Sequence, residues 1–189
     1  RIWTSDSLDP LERLENQRYT GIVVPPEMMG MHLTSPVVHS SGRTVSLGLS
    51  AAVALLGHFG VEWDLTAADD ATRARVAEWI ALAKRLRPLI ALGTVIHVDG
   101  VDAGIDVRGI VASDATSAVF TITQVATSAA YPPGRVRFPG LDASRRYTVQ
   151  VLARPEHDAA QSELVWAEER IVMTGRELGS IGVRPPVQF

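Results

Sequence analysis

The hydrophobic rhythm of this chain changes once, near Gly93, and that change constrains the fold more than any other feature. Before it, short β-branched runs alternate with segments whose apolar residues recur at steps of three and four. After it, short β-rich runs follow one another, separated by turn signals, with no helical pattern between them. The first texture is that of the late part of a (β/α) barrel or of a doubly wound sheet, and the second is that of an antiparallel β-sandwich. The expected fold class is therefore α/β plus all-β, with residues 1–92 as one part, 93–189 as a separate β domain, and a third helix as the boundary element.

In the first half, Asp9 followed by Pro10 and Glu12 reads as an N-cap, a proline at the first helical position and a capping-box acid, which predicts a helix from Pro10 to about Tyr19. Ile2 and Trp3 then close something extended. Residues 20–26, β-branched and ended by Pro25 and Pro26, suit a buried parallel strand. The loop expected over 27–43 carries Met28, Met29, Met31, His32, His39 and Arg43; methionines here read as core filling and His32 as a structural histidine. Residues 45–57 read as a mostly buried helix ended by Gly57, and 60–65 as another strand. Thr66 with Asp69 opens the third helix, with Val76, Trp79, Ile80, Ala83 and Leu86 on one face and Pro88 to Gly93 closing or kinking it.

In the second half the runs are 95–98, 105–111, 118–126, 136–138, 147–152 and 171–173. Asp99-Gly100, Ser113-Asp114, Pro132-Pro133-Gly134 and Pro139-Gly140-Leu141-Asp142 are the clearest turns between them. The aromatics Phe120, Tyr131, Phe138, Tyr147, Trp166 and Phe189 are scattered rather than lined up, and most are expected in the core. That argues against a reading of this half as a carbohydrate-binding module.

Composition narrows the function classes. The 189 residues are 46% hydrophobic and 21% charged with a formal net charge of −3, so nucleic acid is not an expected partner. Cysteine is absent and the five histidines lack ligand spacing, so neither disulfide nor metal site is expected, and no cofactor motif occurs. No apolar run of about 18 residues is present, so no membrane span is expected. The chain opens on Arg1 without a leader and reads as a piece of a longer protein; a cytoplasmic location is expected.

The chemistry concentrates at the start. Asp6 and Asp9 lie three residues apart where Ile2-Trp3 gives way to the first helix, and the end of a strand before a helix is where α/β enzymes mount catalytic side chains. Acids near an aromatic, without metal or nucleophile signature, fit an enzyme that moves protons or sugars. Glycoside hydrolysis needs two carboxyl groups flanking the scissile bond, one of them a proton donor.

The segment Trp3-Thr4-Ser5-Asp6, with Asp9, Glu12-Arg13 and Gln17, resembles the part of glycoside hydrolase family 36 α-galactosidases that contains their acid/base aspartate. The resemblance continues through Pro25-Pro26-Glu27-Met28-Met29-Gly30-Met31-His32, Gly42-Arg43-Thr44 and Gly57-His58-Phe59-Gly60-Val61-Glu62-Trp63-Asp64-Leu65-Thr66. It persists in Pro133-Gly134-Arg135-Val136-Arg137-Phe138-Pro139-Gly140-Leu141-Asp142, in Arg146-Tyr147, and in Thr174-Gly175-Arg176-Glu177-Leu178 before Gly182-Val183. What it implies is a retaining α-galactosidase acting on terminal α-galactosides such as melibiose and raffinose-type oligosaccharides. The implied architecture is the C-terminal part of a (β/α)8 catalytic barrel over 1–92 followed by an antiparallel β-sandwich domain over 93–189. Asp6 matches the proton donor that later serves as base, with Trp3 and Asp6 as substrate-binding residues. No metal or cofactor is implied, and the full-length enzyme is expected to be a homo-oligomer.

The family's Lys-Trp-Asp nucleophile motif and its Cys-x-x-Gly-x-Gly-Arg sugar-binding loop are absent. In the family both lie upstream of the acid/base segment, so this chain by itself is expected to be inactive. Ser7 stands where the family often has Asn, which removes an amide next to the acid/base residue. Asp9 is read as a cap. The alternatives are a non-catalytic carbohydrate-binding or structural module, and an enzyme of the same kind acting on α-N-acetylgalactosaminides or as a raffinose-type synthase.

Overall fold

The computed structural model describes residues 1–152 and 164–185, so Phe189 lies outside the described residues. The chain is a mixed α/β protein that divides into two compact units, Arg1–Leu92 and Gly93–Phe189.

The first unit is built on three parallel strands in sequence order: β1 (Ile2–Trp3), β2 (Met29–Thr34) and β3 (His58–Glu62). Parallel neighbours need crossovers, and helices α1 (Pro10–Thr20) and α2 (Leu47–Leu55) supply them. Trp3 pairs with Gly30, and the β2–β3 register runs from Gly30 against His58 to Thr34 against Glu62. Every residue of β2 is buried, as a central parallel strand requires. Met29 and Met31 turn to one side and pack with Ala54 of α2. The helix is apolar nearly all round because most of its surface is covered, and Ser46 caps it through the Leu49 amide. Ser50, fully buried, ties α2 to the end of β2 by accepting from the Thr34 amide at 3.0 Å.

Several local expectations are corrected here. Residues 20–26 are not a strand. After α1 the chain stays coiled, with the Val23 and Val24 amides both donating to the Thr20 carbonyl, and Ile22 and Val23 are 74% and 81% exposed. The buried strand comes after the two prolines, inside the segment read as a loop. The third strand starts two residues earlier than expected, at His58. Thr66 lies in a short 3-10 turn capped by Asp64, and it is Asp69 that caps α3 (Asp70–Leu92), accepting from the Thr72 amide at 2.7 Å. Pro88 sits inside α3 without ending it, and Val76, Trp79, Leu82 and Ala83 form the buried stripe.

Among the described residues the second unit holds two antiparallel sheets. Strands β4 (Thr94–His97), β5 (Ile105–Val111) and β6 (Ala118–Gln124) pair in order, and β7 (Arg146–Val149) pairs with β8 (Ile171–Thr174). Residues 136–138 make only an isolated bridge between Val136 and Val183. Among the described residues two short helices interrupt the β pattern, α4 (Val165–Glu168) and α5 (Gly175–Ser180). The second has a complete capping box, Thr174 with Glu177, and buries Leu178. The core gathers Ile105, Val107, Val136, Phe138, Leu178 and Val183, with Phe120 packed edge-on against Phe138 at 4.8 Å. Tyr147 fastens two turns, its hydroxyl donating to the Ala115 carbonyl at 2.6 Å and accepting from the Asp142 amide at 2.9 Å.

Gly182 closes that core. Its φ of +68° lies in the left-handed region, and a Cβ built there would stand 2.0 Å from the Val136 carbonyl oxygen, a backbone atom that cannot step aside. Gly182→Ala is expected to cost more than the 1 to 3 kcal/mol that a left-handed non-glycine residue alone costs, about, because the Val136–Val183 bridge must also open. Urea unfolding of the second unit's signal should show the midpoint falling accordingly.

Candidate active site

The carboxyl ends of β1, β2 and β3 lie side by side, and the polar residues of the first unit gather there. Alternation along the strands places Gly30 and His32 on one face of β2, and their registered partners His58 and Gly60, followed by Glu62, on the same face of β3. The His32 side chain lies across the two glycines. A Cβ on Gly60 would approach its Cδ2 to 2.7 Å, and one on Gly30 would reach 3.3 Å from Nε2. Trp3, at the end of β1, sets its ring 4.2 Å from the His32 ring at a 58° tilt and remains 57% exposed on its other side.

Arg13, one turn into α1 and 1% exposed, meets two of these side chains. Its Nη2 donates to Glu62 Oε2 at 3.1 Å and lies 3.4 Å from the Ser5 carbonyl. These two acceptors use both hydrogens of that nitrogen, so its 3.4 Å approach to His32 Nδ1 is proximity only. His32 Nδ1 is instead 2.8 Å from Glu62 Oε2. A neutral His32 so held carries its proton on Nδ1 and presents Nε2 as an acceptor. Burial lowers the Arg13 pKa, while the charges of Glu62 and Asp6 act to raise it. His58 is held below the ordinary histidine value by burial, then by the charges of Arg1, Arg87 and His32.

Asp6 is exposed in the loop between β1 and α1, close enough to Arg13 for their charges to interact. Asp9 is the opposite case, with no exposed surface. Its Oδ1 accepts from the Leu11 amide at 2.9 Å, which makes it the N-cap, and its Oδ2 accepts from Ser41 Oγ and Arg43 Nε, both at 2.7 Å. The expected capping box does not form. Glu12 receives the Ser7 hydroxyl at 2.6 Å, and the Asp9 amide donates to Ser7 Oγ at 3.3 Å, so Ser7 takes the place that the glutamate carboxylate would have had.

The sequence had marked Trp3, Asp6 and Asp9, and the structure brings Trp3 and Asp6 to the same end of the sheet. It missed Glu62 and the direction of Arg43. A Glu at the end of a β run and an Arg beside a glycine in a loop are signals available in the sequence, but neither says which carboxylate or cation it will meet. Among the described residues no group of three or more His, Cys, Asp or Glu is placed to hold a metal ion, and no helix is long and apolar enough to cross a membrane.

Comparison with known proteins decides the family. Residues 1–93 match the family model described as melibiase, and 106–188 match that of the glycosyl hydrolase family 36 C-terminal domain. The chain belongs to glycoside hydrolase family 36. It is 35% identical over 195 aligned residues to an α-galactosidase of Escherichia coli, covering 99% of this chain and 27% of that protein. It is 35% identical over 152 residues to α-galactosidase C of Emericella nidulans, covering 79% of this chain and 20% of that one. A crystal structure of the family 36 α-galactosidase AgaA of Geobacillus stearothermophilus, a variant in complex with raffinose, superposes with a TM-score of 0.81 at 26% identity over 99% of this chain and 24% of that chain. The chain thus spans about a quarter of the length of the relatives it matches.

The site carries a pH signature independent of turnover. Burial pushes the Asp9 carboxyl up, but hydrogen bonds from Ser41, Arg43 and the Leu11 amide, with the charge of Arg43, outweigh it and hold the group below the ordinary aspartate value. A group depressed in the folded state contributes stability that is full above its unfolded value, about pH 4, and is lost as pH falls through the folded value. Asp9→Asn keeps a capping side chain but gives up the charge-assisted bonds, each worth about 1.5 to 3 kcal/mol. The stability gap between wild type and Asp9→Asn should be largest at neutral pH and shrink as the pH is taken below about 4, as read by chemical denaturation at a series of pH values.

Proposed function

We propose that this segment is the acid/base-bearing part of a retaining α-galactosidase that removes terminal α-galactosyl groups from raffinose-type oligosaccharides. In this reading the parallel sheet with its helices is the last part of a (β/α)8 catalytic barrel over residues 1–92. Residues 93–189 form the antiparallel β-sandwich domain that follows it. Asp6 is the proton donor to the leaving sugar and the base towards water; Trp3 is a wall of the galactose site. The nucleophile comes from elsewhere in a longer polypeptide.

The observation that carries the reading is the position of Asp6. It lies exposed in the loop leaving a parallel strand, beside Trp3, in a chain 35% identical over 99% of its length to an α-galactosidase. Active sites of parallel α/β folds form at the carboxyl ends of the strands, because the loops there are held on both sides and open to solvent. The raffinose bound to AgaA supports the substrate class. Support for a longer polypeptide comes from coverage of a quarter of the relatives. Arg13 Nε and Nη1 and the side-chain amide of Gln17, all buried, also have no partner among the described residues.

In the double displacement, the nucleophile attacks the anomeric carbon as Asp6 gives its proton to the departing oxygen; Asp6 then takes a proton from water as the galactosyl-enzyme is hydrolysed. Arg13, whose charge interacts with that of Asp6, is itself paired with Glu62 at 3.1 Å.

The isolated 189 residues should give no measurable turnover of an aryl α-galactoside, since they hold one of the two required carboxylates; turnover by the purified chain would sink the division of roles. In the full-length enzyme, Asp6→Asn should lower hydrolysis of raffinose by about 10² to 10⁴-fold, the usual worth of general acid/base assistance. A nitrophenyl galactoside, whose leaving group needs little protonation, should still react and accumulate the galactosyl-enzyme as a burst. Azide should then restore turnover and yield the α-azide. Equal slowing of both substrates without azide rescue would remove Asp6 from this role.

A further inference from the structure

We infer that Arg43, seated by Ser41, is a positioning residue for the acid/base step: it grips Asp9 and thereby fixes the loop that aims Asp6. The inference rests on the acid/base reading of Asp6. No part of it requires Arg43 to touch substrate.

The loop from Thr4 to Leu8 has two anchors. The near anchor is the end of β1, where Trp3 pairs with Gly30, Thr4 Oγ1 lies 3.4 Å from the Gly30 carbonyl, and Arg13 Nη2 lies 3.4 Å from the Ser5 carbonyl. The far anchor is Asp9. Between them the loop is held within itself, by the Ser7 amide on Ser5 Oγ at 3.0 Å and Ser7 Oγ on Glu12 at 2.6 Å. Asp6 makes no side-chain hydrogen bond among the described residues, so its direction is inherited from the loop rather than set by a partner of its own.

The far anchor is stronger than a cap demands. A cap needs one carboxylate oxygen, and the Leu11 amide occupies Oδ1. Oδ2 is taken by two donors that arrive from 32 and 34 residues away, Ser41 Oγ and Arg43 Nε, each at 2.7 Å. The loop after β2 is itself closed for this purpose. Val38 accepts from the Gly42 amide and donates to the Arg43 carbonyl, Val37 bridges Thr44, and Gly42 turns the chain at a φ of +70°. The Arg43 side chain is 48% exposed whereas Asp9 is wholly buried, so the contact is lopsided in a useful way. Removing Arg43 deletes little buried surface and leaves the cap in place, yet strips a buried carboxylate of its charged partner. The carboxylate must then move towards water, and it moves with a backbone only three residues from Asp6. Misplacement of a catalytic group by about 1 Å can cost on the order of 10²-fold.

The test uses the full-length enzyme, with raffinose and a nitrophenyl α-galactoside as substrates, and compares Arg43→Ala, Arg43→Lys, Ser41→Ala and Asp6→Asn. Arg43→Ala is expected to lower kcat on raffinose by about tenfold or more, to change the nitrophenyl burst rate by less than about threefold, and to leave KM nearly unchanged. Arg43→Lys, which restores a charge and one donor, should recover most of the loss; Ser41→Ala, the milder change should Arg43→Ala fold poorly, should show the same leaving-group pattern in smaller measure. Equal slowing of both substrates by Arg43→Ala, or none, while Asp6→Asn keeps its leaving-group dependence, would overturn the positioning role and leave the acid/base assignment standing. Loss of that dependence in Asp6→Asn itself would overturn both.

Discussion

A carboxylate with no access to water must be paired, and in the first unit that carboxylate belongs to Asp9. Meeting its demand joins the start of α1 to the loop that follows β2, closing the first strand, helix and strand into one unit at the carboxyl end of the sheet. The next crossover is fastened at the same end by a neutral device, the buried Ser50 on the Thr34 amide and hydroxyl. The opposite end is looser. There the chain leaves α1 through exposed Ile22 and Val23. Order is concentrated at the end where the candidate site lies.

What could be read from the sequence follows from which forces are local. Caps, turns and apolar stripes are local, so α1, α2 and α3 were legible from Asp9-Pro10, the apolar run after Ser46 and the Val76–Trp79–Ala83 spacing. The run 105–111 matched its strand because both β-branching and burial favour it. The central parallel strand was hidden because Met, Gly and His are weak strand formers, while the β-branched residues before Pro25 are strong ones. What selects Met29–Thr34 is tertiary. Only a strand with glycine at 30, beside one with glycine at 60, leaves room for His32 to lie across both, and no window of sequence reports that. The two short helices of the second unit were missed for a different reason, being too short for periodicity to register, although the Thr174–Glu177 capping box was there to be read.

At the candidate site, Trp3 and Asp6 could be proposed from the sequence because position at a strand end and a family motif both point to them. Glu62 and His32 could not, because their meaning lies in a contact between strands: Glu62 serves Arg13 and His32 at once, with one oxygen 3.1 Å from the first and 2.8 Å from the second. A buried arginine without that carboxylate would be an uncompensated charge next to Asp6, so Glu62 is a condition for Arg13 being there at all. The same carboxylate orients His32, and His32 backs Trp3. The seating of Trp3 thus depends, through His32, on the Arg13–Glu62 ion pair.

In the acid/base role proposed for Asp6, a residue that gives a proton to one oxygen and takes one from another needs freedom at its tip and constraint at its root. An Asp held by its own hydrogen bonds would have to break them in each half-reaction. An Asp on a slack loop would lose conformational entropy on every encounter with substrate, at about 1 to 2 kcal/mol for each backbone residue ordered. The loop from Thr4 to Leu8 avoids both, because its two ends are fixed by β-pairing and by the buried Asp9, while Asp6 stands exposed between them. The ordering cost is met during folding, by the burial of Asp9 with its three donors, and need not be met again at each turnover. On the proposed assignment of roles the anchoring contacts thus fall to Asp9, three residues away, and leave the Asp6 carboxyl free of them.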